Sequence, residues 1–113
     1  MNDFFDNWTV QARKGLLEMS VLAALTQQER YGYDLARTLL TIPGLGVTEG
    51  TLYPLLSRLR RHGLIESRLV ESNEGPARKY YALTEKGRQL AASMNDYLNT
   101  LVEGMTQLQK RGA

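Results

Sequence analysis

The stretch GPARKYYALTEKG, Gly75 to Gly87, puts a turn, two adjacent cations, two tyrosines and a helix-starting threonine into one short segment. Gly75 and Pro76 are turn formers, and Arg78 to Leu83 is aromatic and alternating, as a strand is. On that strand Tyr81 and Leu83 share a face, Tyr80 takes the other, and Arg78 and Lys79 lie at the end nearest the turn. Thr84 then offers an N-cap oxygen to a helix.

Upstream, Leu64 to Val70 reads as a second strand, and the polar segment ESNEGPA between the two makes a β-hairpin. Before it, Thr48 is an N-cap and about Glu49 to His62 is a helix, with Leu52, Leu55, Leu56 and Leu59 on one face. The opposite side collects Gly50, Tyr53, Pro54, Ser57 and Arg61, with Arg58 and Arg60 on the flanks. Pro54 removes one backbone donor, so it either bends this helix or moves its start toward Thr51. Gly63 suits the left-handed residue just past a helix end.

Earlier still, TIPGLGVTEG breaks the chain with Pro43, Gly44, Gly46 and Gly50. Gly44-Leu45-Gly46 has no phosphate-loop lysine after it and reads as an inter-helix turn. YGYDLARTLL is a short helix with Leu35, Leu39 and Leu40 facing one way and Asp34 and Arg37 another, after a polar Gln27 to Arg30. Leu17, Val21, Ala24 and Leu25 mark a first helix from about Val10 to near Gln27. Downstream of Thr84, Leu90, Met94, Leu98 or Tyr97, Leu101, Met105 and Leu108 alternate steps of three and four, the spacing of a coiled-coil seam.

A helix of about 25 residues extends roughly 37 Å, longer than the small domain before it, so a second copy is expected to cover its seam. The predicted fold is mainly α with a small β-hairpin (α+β). It comprises a winged helix-turn-helix domain over residues 1–83 and a C-terminal dimerisation helix over 84–113, the first helix also joining the dimer interface. The chain has 113 residues, no cysteine, one histidine and a formal charge of +2. Disulfides and thiolate chemistry are excluded, and the balance permits a polyanionic partner without demanding one. The longest apolar run, Leu16 to Leu25, is interrupted by Glu18 and too short to cross a bilayer, and the start is no signal peptide. A cytoplasmic protein with no membrane contact is expected.

At these residues the chain resembles the PadR-like transcriptional regulators, in a short form with a single C-terminal helix. The resemblance runs from Leu16 to about Leu90. It rests on YGYDL at Tyr31 to Leu35, EGTLYPLLSRLRRHGLI at Glu49 to Ile65, and GPARKYYALTEKG at Gly75 to Gly87. What it implies is a dimeric DNA-binding regulator, usually a repressor, whose third helix enters the major groove and whose wing meets the phosphate backbone. Release by a small aromatic or cationic compound is implied for many members.

The residues support that reading on their own. Arg58, Arg60 and Arg61 carry planar donor forks suited to phosphate or guanine, and Thr51, Tyr53 and Ser57 are hydrogen-bonding groups near the helix start. Arg78 and Lys79 on the wing suit backbone neutralisation, which gives affinity and salt dependence without sequence preference. Without the resemblance, these arginines read equally as ordinary solvated charges. Tyr80 and Tyr81 read as packing groups. The expected dimer contacts are Trp8, Leu90, Met94, Leu98, Leu101, Met105 and Leu108; Trp8, Tyr97, Leu98 and Leu101 are candidates for an effector lining. Trp8 reads as readily as a staple onto the partner's last helix. Some short members that bind planar drugs carry a tryptophan on the dimer helix, where this chain has Leu98.

No nucleophile, base and orienting acid fall into a recognisable arrangement, and His62 stands alone at a helix C-terminus, so no enzyme, metal or cofactor is expected. The competing class is a winged-helix module that holds a protein through the same arginine face without binding DNA.

Overall fold

In the computed structural model, which describes residues 2–112, the order is α1 (Asp3–Gln27), β1 (Arg30–Tyr31), α2 (Gly32–Leu40), α3 (Glu49–Arg61), β2 (Ile65–Ser72), β3 (Gly75–Leu83) and α4 (Glu85–Gly112). α1 starts well before Val10 because Asn2 caps it: its Oδ1 accepts from the amides of Phe4 and Phe5 at 2.9 and 3.3 Å. Asp3 and Asp6 add negative charge at the positive end of the helix dipole. Phe4, Phe5 and Trp8 point outward, so this first part carries no buried stripe by which the sequence could reveal it.

The core is one cluster. Val21, Leu22 and Leu25 of α1, Leu35 and Leu39 of α2, and all four leucines of α3 meet Leu64, Ile65, Tyr81 and Leu83 around the sheet. Leu40 does not join them and is 65% exposed. One residue past Leu39 it is turned by about 100°, which takes it off the buried stripe. α3 runs through Pro54 from the cap at Thr48, so the proline does not shift the start.

The sheet has three antiparallel strands in the order β1-β3-β2. β1, unexpected from the sequence, is two residues long, and it pairs Arg30 with Tyr81 and Tyr31 with Tyr80. The hairpin is also longer than expected, with Ser72 opposite Gly75 after an irregularity beyond Val70 and Arg78. Its outer part stands clear of the core, where paired backbone groups sustain strands without any apolar alternation.

The segment Gln27 to Arg30, expected to be a polar link, holds a buried cation. Arg30 Nε donates to the Ala24 carbonyl at 3.0 Å and Nη2 to Gln27 Oε1 at 2.8 Å. Nη1 donates to Asp34 Oδ2 at 3.3 Å and Thr38 Oγ1 at 3.2 Å. One guanidinium thus closes the last turn of α1 and fastens it to α2, and its planar fork has enough donors to satisfy all four acceptors.

α4 is anchored at its base to the turn after α3. Thr84 Oγ1 donates to the Gly63 carbonyl at 2.6 Å while accepting from the Gly87 amide at 3.0 Å, which makes it the N-cap. The Thr84 amide donates to the Leu64 carbonyl at 3.1 Å, and Lys86 Nζ to the His62 carbonyl at 3.0 Å. Gly63 takes the left-handed conformation, φ 74°, that lets the turn present these carbonyls. From there Leu90 and Met94 lean on the core, whereas Tyr97, Leu101, Val102, Met105 and Leu108 are exposed. No helix among the described residues is long and apolar enough to cross a membrane.

Gly87 is the tightest point of this anchor, because a Cβ there would stand 2.0 Å from the Leu64 carbonyl oxygen. Gly87→Ala is expected to destabilise the fold by roughly 3 kcal/mol and to lower Tm by on the order of 15 °C, measured by circular dichroism. A melting curve unchanged from the wild type would contradict this close approach.

Candidate nucleic-acid interface

α3 is built to show one face and hide the other. Thr48 Oγ1 accepts from the Thr51 amide at 3.2 Å and Thr51 Oγ1 accepts from the Thr48 amide at 3.2 Å, a reciprocal cap that fixes the helix start. The buried leucines orient the helix so that Tyr53, Ser57 and Arg61 look outward together. Thr51, singled out from the sequence as a contact residue, has its hydroxyl engaged in the cap. The other candidates divide by flank. Arg58 Nη2 lies 3.2 Å from Glu18 Oε1 of α1, an ion pair that ties this arginine to the first helix. On the opposite flank Tyr53 and Arg60 lie near enough to Tyr81 of β3 to act on its hydroxyl electrostatically. The Tyr53 hydroxyl also stands 3.0 Å from where a Cβ would lie on Gly32, at the start of α2.

The two wing cations lie on opposite faces of β3. In the strand register Lys79 shares the Tyr81 side, the side that meets α3, while Arg78 shares the Tyr80 side. Tyr81 is in the core, as packing predicts, and Tyr80 is half-buried against Tyr31, with ring centroids 5.6 Å apart. Arg78 lies over the Tyr31 ring at 4.7 Å, Arg37 over Tyr33 at 5.7 Å and Arg68 over Tyr80 at 5.8 Å. Arg68 also pairs with Glu29. The sequence reading singled out neither Tyr31, Arg37 nor Arg68 as a functional group. A two-residue strand is too short to show a period, so only the cross-strand register brings Tyr31 and Tyr80 together with Arg68 and Arg78, whereas Tyr33 and Arg37 are four residues apart on α2.

The proposed effector residues are only partly brought together. Tyr97 and Leu98 line a groove of about 470 Å³ between α1 and α4, with Leu16, Glu18, Met19 and Met94 on its other walls; Trp8 and Leu101 are not in it. Trp8 stacks on Phe5 near the start of α1, centroids 6.0 Å apart. No cluster of three His, Asp or Glu side chains among the described residues could hold a metal.

A helical pair whose second member turns a polar, cationic face outward, followed by a hairpin carrying cations, defines the class: a winged helix-turn-helix regulator. The profile of the PadR-like transcriptional regulator family matches residues 21–93. The chain belongs to that family, and it is a regulator and not an enzyme. It is similar in structure to a PadR-like transcription factor from Bacteroides fragilis, with 38% identity, TM-score 0.75, and 90% of this chain and 98% of that one covered. A PadR-like regulator from Bacillus cereus shares 37% identity at TM-score 0.79, over 87% and 95% of the two chains. One from Eggerthella lenta shares 31% at TM-score 0.81, over 94% and 92%.

Burial, and next the nearby Tyr53, raise the Tyr81 hydroxyl above the ordinary 10.0, against an opposing pull from Arg60. The neutral phenol is therefore favoured in the folded state. Its contribution to stability is full below about pH 10 and is lost as pH rises through the higher folded value. Thermal melts between about pH 8 and 11 are expected to fall less steeply for Tyr81→Phe than for the wild type. Parallel curves would contradict the shift.

Proposed function

We propose that the chain works as a homodimer that binds a roughly twofold-symmetric duplex site and represses transcription there, in the cytoplasm. The observation that carries this reading is the outward face of α3, Tyr53, Ser57 and Arg61, set opposite four buried leucines and followed by a wing that exposes Arg78 and Lys79. Such a helix buries one face and offers the other to a major groove, where an arginine fork matches guanine edges and hydroxyls adapt to either base or phosphate. The exposed run from Tyr97 to Leu108 supports a second copy, since an apolar seam of that length on a helix projecting from the domain has no cover in its own chain. Two copies joined by their α4 helices would present their α3 helices about one DNA turn, roughly 34 Å, apart. The α1–α4 groove supports an effector site for a small aromatic or cationic compound, because the Tyr97 ring stands in a mainly apolar wall. Its occupation would release DNA.

Selection of bound sequences from a random duplex pool is expected to yield a palindrome, and affinity is expected to fall steeply with salt. Arg61→Ala should cost about 1–3 kcal/mol of binding and relax preference at one position. Lys79→Ala should weaken all sequences alike and reduce the salt slope by about one. If both variants keep wild-type affinity and slope, these contacts are misassigned; if no duplex shows salt-steep affinity, the protein-interaction reading replaces this one. Analytical ultracentrifugation at micromolar concentration should give the mass of two chains for the wild type and of one for Leu101→Glu combined with Met105→Glu. A single-chain mass for the wild type would refute the dimer.

A further inference from the structure

The segment before α2 grips the wing from its outer side. Tyr31 is the direct cross-strand partner of Tyr80, its ring stacks on Tyr33 at 6.4 Å, and the Arg78 guanidinium lies over that same ring at 4.7 Å. The neighbouring strand is held in the same way, by Arg68 over Tyr80 and against Glu29. The wing cations differ in what holds them. Lys79 lies across from Leu69 and has no cation–π partner among the described residues, whereas Arg78 is held by its flat face. No carboxylate among the described residues pairs with Arg78. A guanidinium held by a carboxylate has its donor fork filled; one held by a ring keeps its N–H edge available and gives up only its π face.

We infer that Tyr31 is a positioning residue for DNA binding, a platform that orders the Arg78 guanidinium so that its N–H edge meets a backbone phosphate. The inference rests on the DNA-binding reading and deepens it. Ordering a long side chain before the duplex arrives removes part of the entropy that the contact would otherwise cost, so the ring strengthens a contact that it does not itself make. The geometry calls for arginine at residue 78. A lysine keeps the charge but has no planar group to lie on the ring.

The test is duplex binding by the full chain, with salt titrations, for the wild type, Tyr31→Leu, Tyr31→Phe, Arg78→Gln, Arg78→Lys and the double variant Tyr31→Leu with Arg78→Gln. Arg78→Gln is expected to reduce the salt slope by about 0.9, one phosphate contact. Tyr31→Leu should weaken binding roughly three- to ten-fold, Tyr31→Phe should match the wild type, and Arg78→Lys should fall with Tyr31→Leu. In the Arg78→Gln background the Tyr31→Leu loss should vanish, since the ring then has nothing to order. A Tyr31→Leu loss that persists at full size in that background overturns the inference, as does wild-type binding by Arg78→Lys, which holds even if Tyr31→Leu fails to fold. Wild-type protein that binds no duplex would overturn the DNA-binding reading along with this one.

Discussion

The contact between the base of α4 and the turn that ends α3 is the constraint on which the rest of the structure depends. The carbonyls of His62, Gly63 and Leu64 are each taken by a donor from Thr84 or Lys86, and Gly87 lets the helix backbone sit directly on that turn. Carbonyls at a helix end need partners, and here the partners come from the helix that carries the exposed seam. The long arm and the turn after α3 are therefore fixed to each other through three hydrogen bonds, one of them between backbone atoms.

The other end of the domain is held by a charge. Arg30 is buried between α1 and α2 with four acceptors around it, and it is also the first residue of the two-residue strand that pairs with β3. Its fork fastens α2 to α1, and the residue after it supplies the ring under Arg78. Helix packing and wing orientation are thus settled within two consecutive residues. Arg58 and Thr51 show a related economy, because polar groups that a sequence offers for contact are taken by an ion pair and a cap within the fold. Tyr53, Ser57 and Arg61 face outward on α3, and Arg58 and Thr51 stay exposed beside them.

Much of this was legible in the residues. Four leucines at helical spacing, a threonine cap, Gly63 after the helix and alternation around Tyr81 are local signals, and each reports the same element that forms. The signals failed where burial and periodicity part company. The start of α1 is apolar but exposed, Leu40 belongs to an apolar run but lies off the buried stripe, and the outer hairpin is polar yet paired. At the start of α1 and in the outer hairpin, backbone hydrogen bonds sustain the element with no buried side-chain pattern for a sequence to display.

The sequence by itself determined the order of the four helices and the hairpin, the leucine face and cationic face of α3, and the family to which the chain belongs. Those depend on spacing along one segment, which the covalent chain fixes. Only the tertiary structure decided that Arg30 is a core residue, that Arg58 is tied to Glu18, and that Arg78 rests on Tyr31 while its neighbour Lys79 turns to the α3 side. Those pairings join residues from separate elements, and a side chain's partner is set by packing geometry that no spacing along the chain encodes.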